Sequence, residues 1–252
     1  DGSACLWNPV SGEEVRRLAA HQGAALSVSF SPDGKLLASG GADRVLRAWE
    51  VADGRERAAL VNRLPPAQLG GLPDGRFLAG AQGRELLAWQ VPAEKPVRTF
   101  GGRGGFIHAV SCSPDGKTLA AAGQDQKIRT WDAVDGEELL LIRAHEGVIY
   151  ALVFSSDGKW LCSAGEDRVV KLWNAKTGVE VARLQGHREG VFCLGISSDG
   201  SEVFSGSSDQ TIRRWDRSSG RELAVYRGHK GWVTGLGLRP GGGQLCSVDY
   251  SG

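Results

Sequence analysis

The chain has 252 residues with 37 glycines and no methionine, and its 30 lysines and arginines stand against 29 aspartates and glutamates, a formal charge of +1. Such a composition favours short strands joined by tight turns over long helices, and the balanced charge gives no net field for holding nucleic acid or an anionic membrane. No apolar run approaches the roughly 20 residues of a membrane helix and no leader-like segment opens the chain, so the expectation is a soluble, cytoplasmic piece of a longer protein.

The length is six times 42, and Trp7, Trp49, Trp89, Trp131, Trp173 and Trp215 follow one another at 42, 40, 42, 42 and 42 residues. A fixed period of this size marks a repeat architecture. In chain order the predicted units lie at about 22–61, 63–101, 104–143, 146–186 and 188–228, and a last one is assembled from 230–252 and 1–19. The first carries a Ser-Pro-Asp-Gly turn at 31–34 and the alternating run Val45 to Trp49. The second departs from the pattern, with Asn62, Pro65-Pro66 and Gly83 at positions that hold histidine, a strand start and aspartate elsewhere. The third repeats Ser-Pro-Asp-Gly at 113–116 but has Arg103 and Ala121 where the others have histidine and serine. The fourth and fifth carry Ser156-Asp157-Gly158 and Ser198-Asp199-Gly200. Aspartate bonding to nearby backbone, and glycine accepting positive φ, make each of these a hairpin turn between strands. Every unit therefore reads as four short strands.

Gly186-His187, Ser198-Asp199-Gly200, Ser208-Asp209 and Trp215-Asp216 make the chain resemble the tryptophan-aspartate (WD) repeat family, and the resemblance runs its whole length. It implies an all-β, six-bladed propeller with four antiparallel strands per blade. Counting from a histidine, serine lies 18 residues on, aspartate 22 and tryptophan 28. The complete sets are His21, Ser39, Asp43, Trp49; His145, Ser163, Asp167, Trp173; and His187, Ser205, Asp209, Trp215. A fourth begins with His229 and Ser247, and Asp1 precedes Trp7 by the same six residues that separate Asp43 from Trp49. The last blade is thus expected to close with two strands from each terminus, which would remove exposed strand edges.

Serine, histidine and aspartate together suggest a hydrolase. A catalytic site is needed once, however, whereas this set recurs with the repeat. The resemblance assigns it to a hydrogen-bond chain running from indole through hydroxyl and imidazole to carboxylate. Four of the five histidines hold the repeat position and only His108 is spare, so neither metal nor histidine catalysis is expected. Cys5, Cys112, Cys162, Cys193 and Cys246 are scattered and odd in number, which reads as free thiols in a reducing compartment. No cofactor is implied.

The expected function is a non-catalytic scaffold or sensing module that binds a protein or peptide as a monomer. Positions three and five beyond each histidine vary from unit to unit, and Phe106, His108, Tyr150, Phe192 and Trp232 are expected to form an aromatic arc there. Arg103 and Glu166 are expected on the same rim. Trp160, whose equivalents Thr118, Glu202 and Gln244 are polar, is a contact candidate on the opposite side. Two alternatives stand beside this reading. One is a channel enzyme using Glu166, His108 and Arg103; the other is a nucleic-acid binder using a basic rim of Arg103, Arg188 and Lys230.

Overall fold

A computed structural model describes residues 2–8, 11, 13–31, 34–61, 66–71, 76–81, 85–90, 98–101, 104–238 and 245–250. Among these the regular structure is strand throughout. The chain divides into two compact units, Asp1–Val110 and Ser111–Gly252.

In the first unit β1 (Ala4–Trp7) pairs with β2 (Glu14–Leu18) as a two-stranded sheet. A four-stranded antiparallel sheet follows, of β3 (Ala25–Phe30), β4 (Leu36–Gly41), β5 (Val45–Glu50) and β6 (Glu56–Val61). The next holds β7 (Pro66–Gly71), β8 (Arg76–Ala81), β9 (Glu85–Gln90) and β10 (Arg98–Gly101). Ala4, Leu18, Leu37 and Trp49 form one buried layer, and Leu46, Ala48, Leu60 and Leu69 form the next. The expectations placed on Asn62, Pro65 and Gly83 lie outside the described residues.

The second unit continues the pattern. Its sheets are β11 (Ile107–Cys112), whose residues up to Val110 fall in the first unit, to β14 (Glu138–Arg143), through β12 (Thr118–Gly123) and β13 (Lys127–Asp132); β15 (Ile149–Phe154), β16 (Trp160–Gly165), β17 (Val169–Asn174) and β18 (Glu180–Gln185); and β19 (Val191–Ile196), β20 (Glu202–Ser207), β21 (Ile212–Asp216) and β22 (Glu222–Tyr226). β23 (Trp232–Leu238) and β24 (Leu245–Tyr250) make a two-stranded sheet. Cys162, Val170, Leu172, Leu184, Val191, Val203 and Trp215 are packed between the β15–β18 and β19–β22 sheets. Each buried aliphatic side chain there stabilises by about 1.5–3 kcal/mol.

The turn between the first and second strands is set by a serine as well as by the expected aspartate and glycine. Ser155 Oγ donates to Asp157 Oδ1 (2.6 Å) and accepts the Trp160 N–H (3.0 Å), while Asp157 Oδ1 also accepts the Lys159 N–H (3.0 Å). Gly158 takes φ +70°. Ser113 and Ser197 repeat these bonds. The turn between the second and third strands uses a different residue in the left-handed region: Arg44, Gln126, Arg168 and Gln210 have φ of 65–67°. Arg44 and Arg168 are both exposed.

One irregularity shapes the site. Ile149 pairs with Gly165 and Ala151 with Ala164, so Tyr150 is an extra residue between them. Phe192 is likewise extra between Val191 and Cys193. Such a bulge bends the strand and re-aims the inserted side chain.

Candidate functional site

The polar sets occupy the second and third strands and the segment before each first strand. In the fifth repeat the Trp215 indole N–H donates to Ser205 Oγ (2.9 Å), and Ser205 Oγ lies 2.8 Å from His187 Nε2. A hydroxyl that accepts from the indole is left to donate to Nε2, so the ring proton sits on Nδ1 and is donated to Asp209 (2.9 Å). The same chain links Trp49, Ser39, His21 and Asp43 at 2.9, 3.0 and 2.9 Å. It links Trp173, Ser163, His145 and Asp167 at 2.8, 2.7 and 2.9 Å. In each set the residue after the histidine also donates its N–H to the carboxylate, as Arg188 does to Asp209 (3.0 Å).

Burial lowers the tendency of His187 to protonate, against the opposing pull of Asp209. Burial on its own would raise Asp209, but bonds from Thr211, the Arg188 N–H and His187 outweigh it and hold the carboxyl at about 2. Asp43 also lies at about 2, with Arg47 the strongest opponent of the burial effect. Ser39, Ser163 and Ser205 are fully buried, and both nitrogens of each imidazole are bonded. This arrangement can brace a blade, but it exposes no nucleophile to a substrate.

His229 bonds Ser247 (2.7 Å) and takes Asp249 (2.8 Å) as its carboxylate, the place that sequence spacing gave to Asp1. Asp249 also accepts the Lys230 N–H (3.1 Å), so it performs both tasks of the aspartate in the other sets from two residues earlier in the register. Asp1 lies outside the described residues, and Trp7 is 57% exposed.

A further member escaped the sequence reading: a basic residue two positions before the tryptophan. Arg47 Nη1 donates to Asp43 (2.9 Å), and Arg129 Nη1 donates to Asp125 (2.5 Å) in the repeat that lacks histidine and serine. Lys171 donates to the Ala144 carbonyl, and Arg213 pairs with Glu222. The recurrence of Arg or Lys four residues after the aspartate was the available signal.

Aromatic rings gather next to these histidines. Tyr150 and Phe192 stack with centroids 4.6 Å apart and planes 12° from parallel; Phe192 and Trp232 stack at 5.6 Å and 15°. Tyr150 and Phe192 are the bulge residues, five positions past their histidines. The third ring comes from position three, because position five there is Thr234. Trp232 is 54% exposed and ends a continuous aromatic ledge contributed by three successive sheets. Glu166 adjoins it: its Oε2 accepts the Val148 N–H (3.1 Å), and its charge adds to burial in raising the Tyr150 hydroxyl. Phe106 and His108, both exposed, belong to the first unit, and Arg103 lies outside the described residues. Trp160 is half-buried under the guanidinium of Arg217, 4.9 Å from its centroid, so this pairing covers the face expected to meet a partner.

Among the described residues no group of histidine, cysteine and carboxylate side chains is placed to hold a metal ion, and no helix is long and apolar enough to cross a membrane. The family model described as WD domain, G-beta repeat matches residues 12–50, 94–132, 136–174 and 178–216. The matched segments pass over 51–93, where Asn62 and Gly83 break the pattern. Protein FIZZY-RELATED 3 of Arabidopsis thaliana is 26% identical over 52% of this chain and 29% of its own length. A p21-activated protein kinase-interacting protein 1-like from Danio rerio is 30% identical over 52% and 35%. The small ribosomal subunit protein RACK1y of Oryza sativa is 29% identical over 52% and 41%. The matches thus cover less than half the length of each of these relatives.

Proposed function

Because the chain belongs to the WD domain, G-beta repeat family, β-propeller proteins that typically act as scaffolds rather than enzymes, we propose that it is a non-catalytic module that binds a protein or peptide on the Tyr150–Phe192–Trp232 ledge. The observation that carries this is the row of three stacked rings that ends in an exposed tryptophan, Trp232. Aromatic anchors of this kind dominate interface energetics, and this one stands on strands braced by the buried histidine networks. The Danio rerio relative is named for interacting with a protein kinase, which accords with such a role. The free cysteines favour a reducing, cytoplasmic setting, and the near-zero charge favours a role without nucleic acid or membrane.

The test is a random-peptide display selection on the intact chain, followed by affinity measurement on Trp232→Ala and Phe192→Ala. Enriched peptides are expected to lose about 30-fold or more in affinity at unchanged melting temperature. Equal binding to wild type and both variants would remove the ledge as the site.

We also propose that six blades close in one ring, with β23–β24 and β1–β2 together making the last. Deleting residues 1–19 is then expected to raise amide exchange throughout β23–β24. Unchanged protection there would rule the closure out.

A further inference from the structure

The β15–β18 and β19–β22 sheets meet at their turn end through side chains that fill the groove between them. Ser156 Oγ donates to the Ser198 carbonyl (2.7 Å), Arg217 Nε donates to the Gly200 carbonyl (2.5 Å), and the Arg217 guanidinium covers Trp160. Leu172, fully buried, packs behind them.

Forty-two residues earlier, between the β11–β14 and β15–β18 sheets, each of these is replaced. Pro114 stands for Ser156, Ala175 for Arg217, Thr118 for Trp160 and Thr130 for Leu172. Every exchange removes bulk or a donor. The outcome is a cleft of about 680 Å³, open to solvent, with all four replacements in its lining. A volume of this order is that of a ligand site. Thr130 Oγ1 is buried in it with no hydrogen-bond partner, where the corresponding positions of the other four-stranded sheets hold Ala48, Ala88, Leu172 and Arg214, the last paired with Glu202. An unpaired buried hydroxyl is costly unless something supplies its partner. Gly158, the counterpart of the Gly200 that Arg217 bonds, also lines the cleft. So do the exposed carboxylates Asp115 and Asp157, against Lys176, and Asp157 also pairs with the Lys159 ammonium at 3.4 Å.

We propose that this cleft receives an arginine side chain presented by a partner, in the place that Arg217 occupies in the next groove. The planar guanidinium offers five donors in a fixed fork, which suits a set of acceptors made of a backbone carbonyl, a threonine hydroxyl and carboxylates; lysine offers a point charge. Bonds from the Ser113 and Ser155 hydroxyls and from the Lys117 and Lys159 N–H groups hold Asp115 and Asp157 below the usual carboxylate range, so both are ionised at neutral pH. The site is separate from the aromatic ledge and does not depend on it.

The probe is the blocked pentapeptide Ala-Ala-Arg-Ala-Ala, titrated into isotope-labelled protein, with citrulline replacing arginine as the uncharged control. Amide shifts are expected at Thr130 and Gly158, with the citrulline peptide about tenfold weaker or worse. Ala175→Arg, alone or with Thr118→Trp, is expected to fill the cleft from within and abolish the shifts; the single change, at a half-buried turn position whose counterpart is Arg217, keeps the test valid if the double variant fails to fold. Trp232→Ala is expected to bind the peptide unchanged. The proposal is overturned if the arginine peptide leaves the amides of folded protein unmoved, if citrulline binds equally well, or if Ala175→Arg binds as the wild type does.

Discussion

The indole N–H of Trp215 reaches Ser205 Oγ at 2.9 Å across the β20–β21 ladder, where Ser205 faces Arg213 and Trp215 faces Val203. The two residues are diagonal neighbours, and their link is the buried inner end of the network. Ser205→Ala would leave the indole donor and His187 Nε2 unpaired together, at about 1–3 kcal/mol for each buried group. A stability loss of about 2–4 kcal/mol in urea denaturation is expected. Ser247→Ala is expected to cost about 1 kcal/mol or less, because the His229 set is half-exposed and water can take the place of the hydroxyl.

Stability should fall with acid in two stages. Burial depresses His187 in the folded state below its ordinary 6.5, so the unfolded chain binds its proton first. That contribution is complete above pH 6.5 and is lost as the pH drops through the lower folded value. Asp43 and Asp209 lie at about 2 against an ordinary 3.8, so their contribution is complete above 3.8 and disappears as the pH falls through about 2. Denaturation midpoints across this range check the sequence of events. His187→Gln is expected to flatten the first stage and leave the Asp43 part of the second.

Gln210 holds φ +66° in the turn after Asp209, a conformation that costs an L-residue about 1 kcal/mol and costs glycine almost nothing. Gln210→Gly is therefore expected to raise the melting temperature, by an amount equivalent to less than about 1 kcal/mol once the extra freedom of glycine in the unfolded chain is deducted. A lowered melting temperature would show that the Gln210 side chain contributes more than its backbone conformation costs.

Trp160 and Arg217 join neighbouring sheets, and a double-mutant cycle with Trp160→Ala and Arg217→Ala should give a coupling of about 0.5–1 kcal/mol. Zero coupling would mean that the stacking seen at 4.9 Å is energetically idle.

Thiol reagents should separate the cysteines by depth. Cys246 is exposed and is expected to react at once. Burial pushes Cys193 up to about 12 and Cys162 higher still, so neither forms thiolate in the native state and both should be labelled only as the protein unfolds.

The strands and the polar sets were legible because a regular antiparallel ladder keeps bonding partners at constant spacing in sequence: 10 residues from Ser205 to Trp215 and from Ser163 to Trp173. What escaped was whatever depends on departures from that ladder. Asp249 serves His229 from two residues before the periodic position. Trp232 completes the ledge from a register position different from that of Phe192, so comparing equivalent positions suggested an arc without giving its order. Arg47 and Lys171 share a strand face with Trp49 and Trp173, but their charge drew no structural reading; Lys171 is buried and Arg47 reaches inward to Asp43. Trp160 was judged by the polarity of its equivalents, and its partner Arg217 comes from the next sheet, beyond the reach of a within-repeat comparison.

The inserted positions of Tyr150 and Phe192 have one last consequence. Neither is opposed by a residue on the neighbouring strand, so the pairing around them is set without regard to which side chain stands there. Replacement at these two places is expected to cost folding little, whereas a change at Ser163 or Ser205 would be felt in folding first. If the ledge binds as proposed, the repeat keeps its recognition vocabulary apart from its architecture, and a chain built this way can acquire a new partner while remaining the same fold.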